Sequence, residues 1–393
     1  MRPLPPPKGS VCGSGDLEWM DPCIARESIL LQSEIMPTPP VILAIESSCD
    51  DTGVAVIRGR EVLANAIANQ AVHERYGGVV PELASRAHAQ NIVPTLESAM
   101  QTAGIQVADI DAVAYTRGPG LMGSLHVGTA FAKTWAWAHG LPMVPVNHMQ
   151  AHILAHFLDP DPAPAFPFLC LTVSGGHTQL VRVDAPLEMT ILGETKDDAA
   201  GEAFDKGAAL MGLGYPGGPQ IQKLAQAGDA DAIALPEPRL KDKDCHFSFS
   251  GLKTAFAQSY QRLSAAEQTE ARADYAASLQ HAIAKALIRR VRYAMERYRQ
   301  EIGLSDGTAR LVVAGGVAAN LHIRSELEKL ADAHDFELSA PPVSLCVDNG
   351  AMIAWVGQEY HKAGMSDGFD TPPRPRWPLD KNAAPPPGRG VRG

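Results

Sequence analysis

The sequence predicts an α/β fold of two lobes built to one plan, and three observations carry that prediction. Short apolar runs that read as strands alternate with helical stretches, and glycine turns stand at strand ends. Two hairpins share one scheme of strand, polar tip and strand. Residues 41–45 and 54–57 flank ESSCDDTG, and residues 168–173 and 178–183 flank SGGH. Finally, 393 residues exceed what a single core ordinarily organises.

Taken in order, residues 1–40 stand apart. They open on the proline-rich MRPLPPPKGS and keep no sustained helical or strand period, so they are expected to form a disordered tail. Their acids (Asp16, Glu18, Asp21, Glu27, Glu34) do not suit an import peptide, and Ile29-Leu30-Leu31 is too short for a secretory signal. Met36, just before Pro-Thr-Pro-Pro and the first clear strand, is the expected natural start. The first lobe is expected over 41–147. After its hairpin come a helix at 81–103, a strand at 112–115, the glycine loop 117–123, a helix at 124–138 and a strand at 143–146. A second lobe with helical insertions is expected over 148–370. It holds the second hairpin, an amphipathic segment at 199–211, the glycine loop 212–219 and a polar region at 228–247. FSFSGLK, a helical block at 265–302, the strand–glycine turn–helix unit from 311 and a strand–helix pair at 338–355 follow. From 371 the chain is a proline-rich, irregular tail.

Composition narrows the function. Hydrophobic residues make up 45% and charged residues 20%, and no apolar run is long enough to span a membrane. The formal net charge of −10 argues against nucleic-acid binding over the whole surface, because phosphate neutralisation needs clustered Lys and Arg. Such clusters occur at Arg289, Arg290, Arg292, Arg297 and Arg299, and at Arg374 and Arg376; a solvated helix face accounts for the first group equally well. The six cysteines are scattered without a C-x-x-C pair, which fits reduced thiols in a cytoplasm.

Three features carry chemistry. His148 and His152 are four apart, so a helix stacks them on one face within reach of one metal ion, and Asn147 is placed to cap that helix. Two helix-packing histidines have the same spacing, and His156 extends the stripe by a further turn. Met149 stands where H-E-x-x-H proteases carry their general base. Second, the glycine turns at 174–176, 217–218 and 315–316 expose backbone N–H groups suited to phosphate, although a Gly-Gly pair also serves as a plain tight turn. No P-loop pattern is present, and no dinucleotide fingerprint fits. Third, Asp205 can accept from a ribose or contact a substrate amine, or form a surface pair with its neighbours Glu202 and Lys206. Asp348, in CVDNG, reads as a helix N-cap.

The motifs IESSCDDTG, GGVVPELASRAH, GPGLMGSL, HMQAH, VSGGHTQL, GEAFDKGAALMGLGYPGGP, FSFSGLKTA, AGGVAANLHIR, CVDNGAMIAW and RPRWPL follow one another from about residue 41 to 380. In this order they resemble the bacterial-type tRNA N6-adenosine threonylcarbamoyltransferase family. The resemblance implies an actin-like fold, as in sugar kinases and heat-shock chaperones, with a nucleotide cleft between duplicated lobes. It implies transfer of threonylcarbamoyl from threonylcarbamoyl-adenylate to N6 of adenine 37, next to the anticodon, in tRNAs reading ANN codons. His148, His152 and Asp348 would hold one divalent metal, iron(II) or zinc. Thr172, Val173, Ser174, Gly175, Gly176, Asp205, Gly218 and Asn320 would contact the adenylate. The implied partners are tRNA, a paralogous actin-like subunit, a small P-loop ATPase and a synthase supplying the adenylate, in the cytoplasm and away from membranes. The chain departs from the family pattern at Gln150, Gln222 and His126. The alternatives are a metal-dependent glycoprotein endopeptidase and a non-catalytic, nucleotide-dependent scaffold.

Overall fold

A computed structural model describes residues 38–70, 73, 76, 78–159, 163–237 and 245–380. Residues 1–37 of the expected 1–40 tail, with Met36, part of the 228–247 region and the end of the C-terminal tail lie outside the described residues.

The first five strands form one mixed sheet. In chain order the elements are β1 (Val41–Glu46), β2 (Thr52–Arg58), β3 (Glu61–Ala68), α1 (Pro81–Ala103), β4 (Ala112–Gly118), α2 (Met122–Ala138) and β5 (Met143–Asn147). The strand order is β3-β2-β1-β4-β5. β1–β2 and β2–β3 pair antiparallel, whereas β1–β4 and β4–β5 pair parallel. α1 begins on Pro81, whose missing N–H costs nothing at a helix start, and ends at Gly104 with φ 64°, a left-handed cap that glycine adopts freely.

The second lobe repeats this plan. After α3 (His148–Leu154) come β6 (Phe168–Val173), β7 (Thr178–Ala185), β8 (Glu188–Glu194), α4 (Ala200–Leu210), α5 (Gly217–Ala225), α6 (Ser250–Gln261), α7 (Ala265–Glu270) and α8 (Arg272–Glu301). Then follow β9 (Ala309–Ala314), α9 (Leu321–Ala333), β10 (Phe336–Ser339), α10 (Val343–Cys346) and α11 (Gly350–Lys362). Read from its far edge, this sheet runs β8-β7-β6-β9-β10, with the same alternation of antiparallel and parallel pairs. Two sheets of identical order and sense are the actin-like arrangement. The sequence reading had two strands in each hairpin; β3 and β8 add a third, and the long helical block breaks at Ala271.

Every residue of β1 is buried, as expected of a central strand covered on both faces. Leu43 and Ile45 face α1 and α2, packing with Leu96 and Ala132. Ile42 and Ala44 face the other way, into a core shared with Val146, Ile153, Phe168, Cys170, Met352 and Ile353. That shared core sandwiches α3 and α11 between the two sheets. The last helix thus returns to the first sheet, and the two helices beside the candidate ligands occupy the junction of the lobes.

Beyond α11 the chain runs on as an irregular strap. Asp367 N donates to Met143 O (2.7 Å), Arg374 N to Arg117 O (2.7 Å) and Gly120 N to Pro375 O (3.2 Å). Lys133, 3% exposed, donates to the carbonyls of Gly368, Phe369 and Thr371. Tyr115 Oη donates to Asp367 Oδ2 (2.7 Å). Further on, Asn147 Nδ2 donates to Trp377 O (3.4 Å), and Ile191 N of β8 donates to Asp380 Oδ2 (3.3 Å).

Candidate metal centre and nucleotide turns

α3 starts directly at the end of β5, so the parallel sheet fixes its first turn. The Asn147 side chain accepts from Met149 N (3.0 Å) and Gln150 N (3.3 Å), the cap read from the sequence. Gln150, one of the departures, is buried and structural: Nε2 donates to Pro186 O (2.6 Å), and Oε1 accepts from Tyr360 Oη (2.5 Å). The helix is thereby pinned to the second sheet and to α11.

His148 and His152 lie on one face with ring centroids 4.6 Å apart and planes at 84°. Their Nε2 atoms are 3.2 Å apart. Asp348 Oδ1 is 3.0 Å from His152 Nε2 and 3.7 Å from His148 Nε2. The ligand atoms of the three residues all lie within 4.8 Å of one another. Asp348 is not the helix cap that its position suggests. Asn349 takes that role, accepting from Met352 N (3.0 Å), and this leaves the Asp348 carboxylate for the histidines.

Glu46 is the residue that the sequence reading missed. It ends β1, and its Oε2 lies 3.1 Å from His148 Nδ1. Ser48 N (2.5 Å) and Thr116 Oγ1 (2.6 Å) also donate to its carboxylate. A carboxylate only accepts, so His148 Nδ1 must carry a hydrogen, and the Nε2 lone pair then faces Asp348 and His152. The signal was one acid closing an otherwise apolar strand. Burial opposes charge on His148, yet the carboxylates of Glu46 and Asp348 outweigh it and lift its pKa to about 9. Burial likewise opposes ionisation of Asp348, but His148 and His152 hold it well below the usual carboxylate range. A cluster that attracts a proton this strongly suits a divalent cation in the proton's place.

His156 does not join the cluster. It turns into the 3₁₀ segment Ala155–Leu158, where burial pushes its pKa down to about 4 against the opposing charge of Asp159.

The turn at 174–176 closes the β6–β7 hairpin. Ser174 N donates to His177 O (2.8 Å), and His177 N donates to Ser174 Oγ (3.1 Å). Two other backbones press against it. A Cβ on Gly201, in the first turn of α4, would stand 2.5 Å from Ser174 O, and one on Gly315, at φ 88°, would stand 2.5 Å from Val173 O. Only bare backbone fits at either place.

Asp205 accepts from Gly217 N (2.9 Å) and so caps α5, with Gly218 one residue further on; burial is the main reason its pKa is raised. The Lys206 and Glu202 pairing is not its chief contact. Gln222 of α5 accepts from Leu321 N (2.7 Å), while Asn320 accepts from Ile323 N (3.1 Å) and donates to Gln280 Oε1 (2.9 Å). Asp205, Gly217, Gln222, Leu321 and Asn320 are therefore linked in series beyond the C-terminal ends of β6 and β9, where open α/β sheets bind ligands. Across the lobes, Tyr215 Oη donates to Asp50 Oδ2 (3.4 Å). Among the described residues, no helix is long and apolar enough to cross a membrane.

Comparison with known proteins fits this geometry. A family profile for tRNA N6-adenosine threonylcarbamoyltransferase matches residues 61–355. Proteins of that name from Bordetella petrii and Sphingopyxis alaskensis are 49% and 48% identical to this chain. The matches cover 86% of this chain and 97% of the first relative, and 90% of this chain and 99% of the second. Among solved structures, HypF from T. kodakarensis superposes with a TM-score of 0.55 at 14% identity, over 83% of this chain and 48% of that one. At that identity the likeness speaks for the fold alone.

Proposed function

Because this chain belongs to the tRNA N6-adenosine threonylcarbamoyltransferase family, we propose that it moves threonylcarbamoyl from threonylcarbamoyl-adenylate to N6 of adenine 37 in tRNAs reading ANN codons, releasing AMP. A new bond forms between N6 and the carbamoyl carbon, the bond from that carbon to the AMP phosphate oxygen breaks, and N6 loses a proton. The anhydride is already activated, so positioning and charge stabilisation carry the catalysis rather than a strong nucleophile.

The observation that carries this reading is the convergence of His148 Nε2, His152 Nε2 and Asp348 Oδ1 at the junction of the lobes. Two imidazole nitrogens and a carboxylate oxygen suit iron(II), with zinc as a substitute. Bound there, the ion supplies Lewis acidity toward oxygens of the transferred group. Glu46 fixes the His148 tautomer, and the N-cap Asn147 and the buried Gln150 hold the helix that presents both rings.

The nucleotide is assigned to the turns. The turn formed by Thr172, Val173, Ser174, Gly175 and Gly176 receives the phosphate side of the adenylate, a reading that the close approach of Gly201 and Gly315 supports. Asp205 keeps Oδ2 for a ribose hydroxyl while Oδ1 holds Gly217, and Gly218 leaves the rim open. Asn320 acts by capping α9 beside the site. In this reading residues 41–147 and 148–370 are the two lobes, and the strap begins in the last residues of the second and continues into the described part of the 371–393 tail.

The net charge of −10 supports tRNA docking through a local patch such as Arg374 and Arg376, shared with a paralogous actin-like subunit and a small P-loop ATPase in the cytoplasm. The test is reconstitution. The chain, the adenylate-forming synthase, partners, labelled threonine, bicarbonate, ATP and unmodified tRNA are combined, and label must enter tRNA only when the chain is present. Cleavage of a glycoprotein by the metal-loaded chain, without label transfer, would favour the endopeptidase reading instead.

A further inference from the structure

The strap presents two faces. From Thr371 to Trp377 half-buried and exposed positions alternate, as side chains do along extended backbone, so Pro372, Arg374 and Arg376 point outward. The backbone beneath them is fixed to the loop before α2: Arg374 N donates to Arg117 O (2.7 Å) and Gly120 N to Pro375 O (3.2 Å). Trp377 ends the run. Its carbonyl accepts from Nδ2 of Asn147 (3.4 Å), the residue that caps the helix of His148 and His152. The guanidinium carbons of Arg117 and Arg374 lie 5.4 Å and 5.7 Å from its ring centre. Trp377 also lines a small cavity with Met149 and His177, so the run passes beside both the metal helix and the 174–176 turn.

Elsewhere at the surface arginines are paired: Arg86, Arg297 and Arg310 stand 2.7 Å from Glu82, Glu301 and Glu337. Among the described residues neither Arg374 nor Arg376 meets a carboxylate, and the Arg374 side chain rests on Trp377. In a chain of formal net charge −10, exposed cations left without acids mark a place where an anionic partner is met. The sequence carries the same sign onward. Lys381, Arg389 and Arg392 follow, and Asp380 is the one acid between Thr371 and Gly393. Asp380 in turn accepts from Ile191 N (3.3 Å), which roots residues 381–393 at β8.

We propose that the outer face of the strap, continued by Lys381, Arg389 and Arg392, is a cationic arm that holds the phosphate backbone of the substrate RNA beside the metal helix. The inference rests on the transferase reading above and extends it: this chain grips RNA by itself, before any partner joins, and residues 381–393 take part. Two features favour RNA. A lipid surface calls for an apolar face as well as charge, and residues 381–393 offer only Val391 and two alanines. A protein interface draws its affinity from aromatic and other bulky anchors, which the segment also lacks. Phosphates strung along a backbone need only cations within reach, and the Pro and Gly residues between these cations keep them apart from one another. Trp377 holds Arg117 and Arg374 at the root of the arm, so the first contacts are placed by the fold.

Filter binding of labelled, unmodified tRNA to the full chain between about 50 and 200 mM salt tests this. Each phosphate contact steepens the fall of log K with log salt by about 0.7–0.9. A chain ending at Asp380 keeps every described residue and loses three cations, so its slope should be shallower by about 2–3. Arg374→Gln together with Arg376→Gln should flatten the slope by about 1–2. Arg86→Gln, which removes a paired cation on α1, should leave it unchanged. If the double variant does not fold, the truncated chain decides. Equal slopes in the wild type and the truncated chain, or an equal flattening in Arg86→Gln, would overturn the proposal. So would a wild type that binds no tRNA at the lowest salt. Loss of binding to phosphatidylserine vesicles on truncation, with the tRNA slope unmoved, would assign the arm to a membrane and overturn it too. Label transfer in the reconstituted system decides the transferase reading separately, because that assay can succeed in each of these cases.

Discussion

The Nε2 atoms of His148 and His152 lie 3.2 Å apart, with Asp348 Oδ1 3.0 Å from the second. Two imidazole lone pairs at that separation repel unless a proton or a metal ion lies between them, and Asp348 favours either cation. Asp348→Ala should therefore lose bound metal and transfer activity together. Elemental analysis of the purified variant checks this, and stoichiometric metal in it would refute the ligand set.

Glu46 acts through His148. Glu46→Gln keeps the shape but removes the acceptor charge that orients His148, so metal affinity should fall about 10–100-fold. Competition against a chelator of known affinity measures the change. Thr116→Val, which removes one donor to Glu46 (2.6 Å), should have a smaller effect of the same sign.

Gly201→Ala would place a methyl 2.5 Å from Ser174 O and 2.6 Å from Gly175 Cα. Both neighbours are backbone, so the turn or the helix must shift. Chemical denaturation should show a loss of about 1–3 kcal/mol. Affinity for AMP should fall more in this variant than in Gly251→Ala, where a Cβ meets nothing within 4 Å.

His156 predicts an acid-sensitive component of stability. Burial lowers its pKa from 6.5 to about 4 in the folded chain. Between those values the unfolded chain binds the extra proton, so this contribution is whole above pH 6.5 and is lost as pH falls toward 4. His156→Phe should flatten the stability profile across that window, as followed by urea denaturation at a series of pH values. A profile parallel to the wild type would contradict the assignment.

Lys133→Met would strip three strap carbonyls of their donor in a buried setting. Amide hydrogen exchange should rise over residues 365–377 and stay unchanged in β1 and β6.

Much of this was legible in the sequence, for a physical reason: the decisive features were local. The polar-tipped hairpins announced the repeated lobe because strand, turn and strand are neighbours in sequence. Asn147 was readable as a cap because capping acts over two or three residues. Glu46 was not readable, because its partner lies 102 residues away and its own segment reads as an apolar strand. Asp348 illustrates the opposite hazard. Local chemistry made it a helix cap, whereas the cap is its neighbour Asn349; only the ordered motifs pointed to the histidines. β3 and β8 escaped because they are edge strands with several exposed or half-exposed positions, so no long apolar run marks them.

The strap gives the chain's end a mechanical part to play. It is hydrogen-bonded to the first lobe at Arg117 and Lys133 and to the second at Ile191. Between those anchors it bridges the edges of the two sheets. Loss of the Ile191–Asp380 bond would free one end of a segment that the first sheet still holds at Arg117.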